Sequence, residues 1–282
     1  MNIIQQPDML SLSMNLKNFI IGSSRQTTFT LKAGDKELVS QVYAPDENGV
    51  MEIDIHEIVH SFLSYSLKDI GEVYQQTNLV ADFTAVIDST EITFRVIRSG
   101  VDRLTDSPTN FLTQNFLTWQ PNVKPVTYYS PEFLTYYAVV AGTVKLRAYF
   151  TDESGTVKSQ TDYTVTELMP GIAYTMPLQY SVVAGWLEHK LPAYYDVWVE
   201  NTSGQRLTYI QRYYAEDMRS EQEQWILFEN SLGGVDTFRA YGNTVFNGEH
   251  THNIAEIDEF FSEYRVDTER KFQKSTGYLN GD

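Results

Sequence analysis

The 282-residue chain has no cysteine. This removes disulfides, thiol catalysis and cysteine-ligated zinc, and leaves redox compartment open, because absence fits either side. Histidine is scarce at five residues, so Ser-His-Asp or Cys-His catalysis has no motif to rest on. No run of about 18 apolar residues occurs, so no spanning helix is expected. The start, Met1-Asn2-Ile3-Ile4-Gln5-Gln6-Pro7, lacks a basic stretch followed by an unbroken apolar run, and no signal peptide is expected. Positive charge is also short. The formal net charge of -16 repels phosphate and anionic lipid and argues against nucleic-acid and membrane-surface partners.

What the chain has in quantity is aromatic surface, with 19 Tyr and 15 Phe, a composition that favours strands. The length allows two or three domains, each with a core. Residues 26–32 alternate as a strand, Gly34-Asp35 turns it, and 37–43 returns. Pro45 to Gly49 is turn chemistry before a strand at 50–53. Residues 83–87 and 92–97 form a second hairpin around Asp88 to Glu91, and 144–150 and 158–165 a third around Asp152 to Gly155. The stretch from Arg98 to Thr118, with Asp106-Ser107-Pro108, has little pattern and reads as a boundary.

An internal comparison organises these pieces. Val50 to Asp54 followed by Ile58 to Leu63 parallels Ile172 to Met176 followed by Val182 to Leu187, at a constant offset of 124 over the helical part. Phe83 to Ile87 then matches Tyr195 to Val199, and Ile92 to Val96 matches Leu207 to Gln211. The expectation is an all-β chain of tandem immunoglobulin-like or fibronectin-like β-sandwiches with short helices. The domains would be 1–105, 118–217 as a repeat of the first, and a C-terminal β-rich segment, 218–282. Residues 254–265 carry Ile257, Phe260, Phe261 and Tyr264 at helical spacing, while 263–272 reads equally as a charged strand. Asn280-Gly281-Asp282 reads as a turn rather than a domain end, so the chain is expected to be a fragment or to depend on neighbours.

The candidate for chemistry is His56-Glu57-Ile58-Val59-His60, an H-E-x-x-H pattern. On a helix both histidines could hold one zinc, with Glu57 as the general base of a metallohydrolase. No third ligand is apparent: Leu63 stands where one continuation needs glycine, and Asp69, Glu72 and Asp82 lie on no clear second helix. The competing reading is an amphipathic helix capped by Asp54, with Glu57 completing a capping box, Ile55, Ile58, Val59 and Phe62 buried, and the histidines facing solvent and dispensable. The second copy keeps the apolar positions but has Tyr180, Ser181 and Ala184 at the polar ones, which favours the packing role. His250 and His252 would share a strand face and could chelate, though an exposed polar loop explains them, and His189 stands alone. The pairs Tyr128-Tyr129, Tyr136-Tyr137, Tyr194-Tyr195 and Tyr213-Tyr214 invite glycan binding. Alternation instead predicts one ring of each pair packed inside and the other at an edge or interface. Gly233-Gly234 reads as the positive-φ turn of a hairpin, not a phosphate loop.

Phe228 to Phe238, together with Gln6 to Ser13 and Asn48 to Asp54, resembles uncharacterised β-rich tail-associated proteins of tailed phages and prophages of gut bacteria. The resemblance implies a structural role in a tail-like particle and protein subunits of the same assembly as partners, with a homo-oligomer expected. It carries over no catalytic residue and no cofactor.

Overall fold

The computed structural model describes residues 1–68, 70–217, 220–257 and 260–277, with no side-chain description over 254–264. Asp69 and Asn280 to Asp282 lie outside the described residues. In the first half the order is β1 (Asn2–Gln5), β2 (Leu10–Leu12), β3 (Phe19–Gly22), β4 (Thr27–Ala33), β5 (Lys36–Tyr43), β6 (Val50–Ile53), α1 (His56–Phe62), β7 (Tyr74–Gln75), β8 (Val80–Ile87) and β9 (Thr90–Ile97). After α2 (Pro108–Gln114) come β10 (Val123–Val126), β11 (Phe133–Tyr137), β12 (Gly142–Thr151), β13 (Val157–Leu168), β14 (Ala173–Pro177), α3 (Tyr180–Trp186), β15 (Tyr194–Asn201) and β16 (Gln211–Ala215). The last four strands are β17 (Gln224–Glu229), β18 (Val235–Ala240), β19 (Thr244–Ile257) and β20 (Phe260–Lys274). Among the described residues the fold is all-β with three short α-helices.

Two five-stranded sheets share one plan. The first runs β2-β9-β8-β4-β5 and the second β10-β16-β15-β12-β13, each with a parallel edge strand and antiparallel pairs elsewhere. Each faces a three-stranded sheet, β1-β3-β6 or β11-β14-β7. Inward alternation explains the packing: Phe29 and Leu31 of β4, Phe83 and Ala85 of β8 and Phe94 of β9 meet Phe19, Ile21, Met51 and Ile53 of the small sheet in one core. Val144, Leu146, Tyr195, Val197 and Tyr213 meet Leu134, Tyr136 and Met176 in the other. α1 and α3 sit at identical positions of the plan, 56–62 and 180–186.

The counterpart of β9 is β16, not Leu207 to Gln211 as the sequence comparison suggests. Leu207 donates to the carbonyl of Val199, and the regular pairing resumes only at Gln211 opposite Val197. The intervening residues bulge, and Thr208 Oγ1 takes the Val199 N–H at 3.0 Å in place of a backbone partner.

A third cluster joins the halves, built from Leu12, Tyr65, Leu79 and Ile97 of the first, Leu112 and Leu117 of the connection, Tyr137 and Ala173 of the second, and Leu232 and Val235 beyond them. β7 also crosses over, pairing with β14. Met1–Glu216 with Leu227–Thr237 accordingly form one compact unit, and Asp217–Ile226 with the chain from Phe238 form a second. The patternless connection contains α2, whose N-terminus Ser107 caps by accepting from Asn110 N at 3.2 Å, with Pro108 in the first turn. Residues 254–257 and 260–265 are strand, not helix. No helix among the described residues is long and apolar enough to cross a membrane.

Candidate functional site

α1 carries the H-E-x-x-H residues. Its inward face holds Ile55 at 1% exposure and Val59 at 0%, with Leu63 following at 2%. Phe62, expected inside, is 38% exposed. It lies over the sheet with its ring edge-on to Phe83 at 5.6 Å and Lys36 above it. Ile58 is half-buried. The α3 positions repeat the pattern, with Val183 and Leu187 buried and Trp186 half-buried and stacked on Tyr163. Ile55, not Asp54, is the cap residue, and it makes no side-chain cap bond. Asp54 nevertheless accepts the His56 N–H at 2.9 Å, while Glu57 is exposed and completes no capping box.

The histidines are half-buried rather than solvent-facing. His60 Nδ1 shares a 2.9 Å hydrogen bond with Ser13 Oγ, and Ser13 is wholly buried. Arg98 Nη1 donates to the carbonyls of His60 and Leu63 at 3.3 and 3.1 Å, closing the helix C-terminus with a cation where its dipole is negative. Burial, then Arg98 and His56, push the His60 imidazole below its ordinary titration range, so it is neutral. The rings of His56 and His60 are 6.3 Å apart. Among the described residues no group of three His, Asp or Glu is placed to share a metal ion. His250 and His252 lie on one strand face as alternation requires, with His250 Nδ1 bonded to Thr268. His189, at φ +65, donates its N–H to Ala184 and ends α3.

The segment 228–238 forms a second polar cluster. Asn230 Oδ1 accepts from Leu232 N and Gly234 N, and its amide donates to the Leu117 carbonyl. Gly233 has φ +90, whereas Gly234 does not need a positive φ. Both are required to be bare for another reason: a Cβ at Gly233 would strike the Arg98 carbonyl, and one at Gly234 the Leu117 carbonyl. Asp236, 4% exposed, accepts from Thr118 Oγ1 at 2.5 Å and Trp119 N at 3.1 Å. Next to it Lys124 Nζ bonds both the Glu132 carboxylate and the Thr237 carbonyl at 2.8 Å. Burial raises the Glu132 carboxyl to about 7 against the pull of Lys124, with Asp236 adding to the rise. Sequence reading found the glycine pair and missed Lys124, Glu132 and Asp236: the first two are 8 residues apart but fall on no motif, and Asp236 lies more than a hundred positions on.

The tyrosine pairs divide. Tyr195 and Tyr213 are fully buried, Tyr194 is half-buried and Tyr214 is 37% exposed, as strand alternation predicts. Tyr136 and Tyr137 are both buried because β11 is covered on both sides, one ring in each of two clusters. Tyr128 and Tyr129 are both exposed, since they lie in a turn rather than a strand.

The pairing registers align the two large sheets residue by residue. Leu31↔Ala85 in the first matches Leu146↔Val197 in the second, and Phe83↔Phe94 matches Tyr195↔Tyr213. The outward residues Asp82, Thr84, Val86, Thr93 and Arg95 therefore correspond to Tyr194, Asp196, Trp198, Arg212 and Tyr214. At these positions the first face has two threonines, a valine and a bidentate Arg95–Asp82 pair, whereas the second adds three aromatic rings. On the second, Tyr149 stacks on Tyr194 at 4.4 Å and Arg212 lies over Tyr194 at 4.5 Å while binding Asp196 through two hydrogen bonds. Arg147 lies over Trp198 and grips Asp162 in the same way.

No protein-family model matches the chain, and no curated protein matches it. Among solved structures, the crystal structure of Salmonella alpha-2-macroglobulin reacted with methylamine aligns with 98% of this chain and 21% of that chain, at 8% identity and a TM-score of 0.19. The chain thus spans about a fifth of that protein's length, and a likeness at this level carries no argument.

Proposed function

We propose that this chain is a non-enzymatic structural protein that acts through protein–protein contacts, in the setting its sequence resembles, a phage or prophage tail-like particle. The observation that carries the reading is the contrast between the two corresponding sheet faces. The first copy keeps the same strand plan with no ring at any of these positions, so the rings of the other are not demanded by that plan. Tyr, Trp and Arg are the residues enriched where proteins meet and where contacts hold most binding energy. Each arginine there is already paired with a carboxylate, so the face is near neutral and escapes the repulsion a chain of net charge -16 presents elsewhere.

The test replaces the second face by the first: Tyr194→Asp, Asp196→Thr, Trp198→Val, Arg212→Thr and Tyr214→Arg in one variant, which also supplies a new Asp–Arg pair. In a density gradient of host lysate, the tagged native chain is expected in particle fractions and the variant in the light fractions, with melting temperatures within a few degrees of one another. A native chain found only in the light fractions would refute the proposal.

A further inference from the structure

A cleft runs beside α2 within the first unit. One cavity of about 480 Å³ is lined by residues 101–106 and α2, a second of about 230 Å³ by Thr118, Gln120 and Asn122, and the two share Phe111, Asn115 and Trp119. The larger is within the span of small-molecule sites, about 300–1,000 Å³. Trp119 is 60% exposed, and no described ring or cation lies on it, whereas Trp186 stacks on Tyr163 and Trp198 carries Arg147. It is nevertheless fixed in place. Its backbone N–H donates to buried Asp236 at 3.1 Å and its indole Nε1 to Ser231 Oγ at 2.9 Å. Polar groups with unused capacity stand around it: the side chains of Asp102, Arg103 and Gln114 make no bond to any described residue, and the Oε1 and Nε2 of Gln120 are enclosed without a partner.

We propose that this cleft binds a neutral glycan, with a pyranose ring stacked on Trp119 and its hydroxyls bonded to the polar side chains around it. The C–H-bearing face of a sugar packs on an aromatic ring, while the hydroxyls at its rim each donate and accept. The cleft supplies that mixture. Asp102 accepts, Arg103 donates, the Gln114 amide does both, and Asn115 keeps its Oδ1 while its amide donates to the Phe111 carbonyl at 2.9 Å. Gln120 reaches the ligand by turning about its own side-chain torsions, which gives its enclosed amide the partners it lacks. Because Asp236 and Ser231 already hold Trp119, stacking on it orders little that is free beforehand. Other ligand classes fit less well. An extended peptide binds by adding to a strand edge, and no residue lining either cavity belongs to a strand. A nucleotide or an acidic glycan brings negative charge, which a chain of net charge -16 repels and which meets Asp102 and Asp106 in the cleft itself. The inference goes beyond the assembly reading and does not depend on it.

The experiment probes an array of neutral and acidic glycans with the purified full chain and repeats each hit by isothermal titration calorimetry. The native chain is expected to bind at least one neutral glycan, and Trp119→Ala to weaken that binding at least tenfold, with Trp119→Phe, which keeps a ring, between the two. Asp102→Ala with Gln114→Ala, both exposed and bonded to nothing described, is expected to weaken it at least threefold at an unchanged melting temperature, which separates loss of the site from loss of the fold. Tyr129→Ala removes a ring that is 75% exposed away from the cleft and is expected to change nothing. A blank array, hits confined to acidic glycans, or a Trp119→Ala variant that binds as tightly as the native chain overturns the inference. So does a Tyr129→Ala variant that loses as much. None of these outcomes moves the chain between particle and light fractions, so the assembly reading fails or stands separately.

Discussion

Glu132 and Lys124 show how one buried pair makes stability depend on pH. The Glu132 carboxyl is raised to about 7 in the folded protein from an ordinary 4.5, so between those values the folded state holds more protons than the unfolded one. Its contribution is full below pH 4.5 and is lost as pH rises through 7. Glu132→Gln removes this dependence. Thermal melts of the two proteins across pH 5 to 8 are expected to shift in favour of the variant as pH rises; parallel curves would count against it. His60 has the opposite sign. Its titration is depressed by burial, so the stability it confers is full above about pH 6.5 and is lost as pH falls below that and through the lower folded-state value. His60→Ala, which strips the Ser13 bond, is expected to cost about 1 kcal/mol, and Val59→Ala at the helix's buried centre about 2, both read by urea denaturation. Zinc analysis of protein purified without chelator is expected to find no stoichiometric metal. One zinc per chain that disappears in His56→Ala would restore the metallohydrolase reading.

At the level of the element, the segment from Phe228 to Phe238 behaves as a keystone rather than as a simple hairpin turn. It places Leu232 and Val235 in the cluster between the halves and Asp236 on Thr118 and Trp119. Gly233→Ala and Gly234→Ala are each expected to cost roughly 2–4 kcal/mol, because each added methyl meets a backbone carbonyl that cannot move aside alone. Urea midpoints would check this, and a cost below about 1 kcal/mol in both would show that the loop can shift. The hairpins around Gly34, Asp88 and Asp152 were legible from alternation and turn residues, because local chemistry sets them. α2 carried a Ser-Pro start that the patternless stretch obscured, and β7, two residues long, has no periodicity to read.

The whole molecule differs from two beads on a string. The halves repeat one strand plan, but β7 of the first completes a sheet of the second, and a common cluster lies between them. A fragment of residues 118–217 lacks Tyr74 and Gln75 on the edge of β14 and exposes Tyr137 and Ala173. It is expected to melt well below the full chain or to aggregate, as followed by circular dichroism. A fragment as stable as the whole would show that the halves are independent.

The sequence by itself determined the all-β character, the hairpin positions and the α1–α3 equivalence at an offset of 124, because strand alternation, turn residues and a helix's apolar stripe are local properties of the chain. Only the tertiary structure decided what the histidines touch, why both glycines must be bare, and that Lys124, Glu132 and Asp236 meet. The His60 contacts span 47 and 38 positions and those of Asp236 118 and 117, and burial sets the protonation of Glu132; none of these is a local property of the chain.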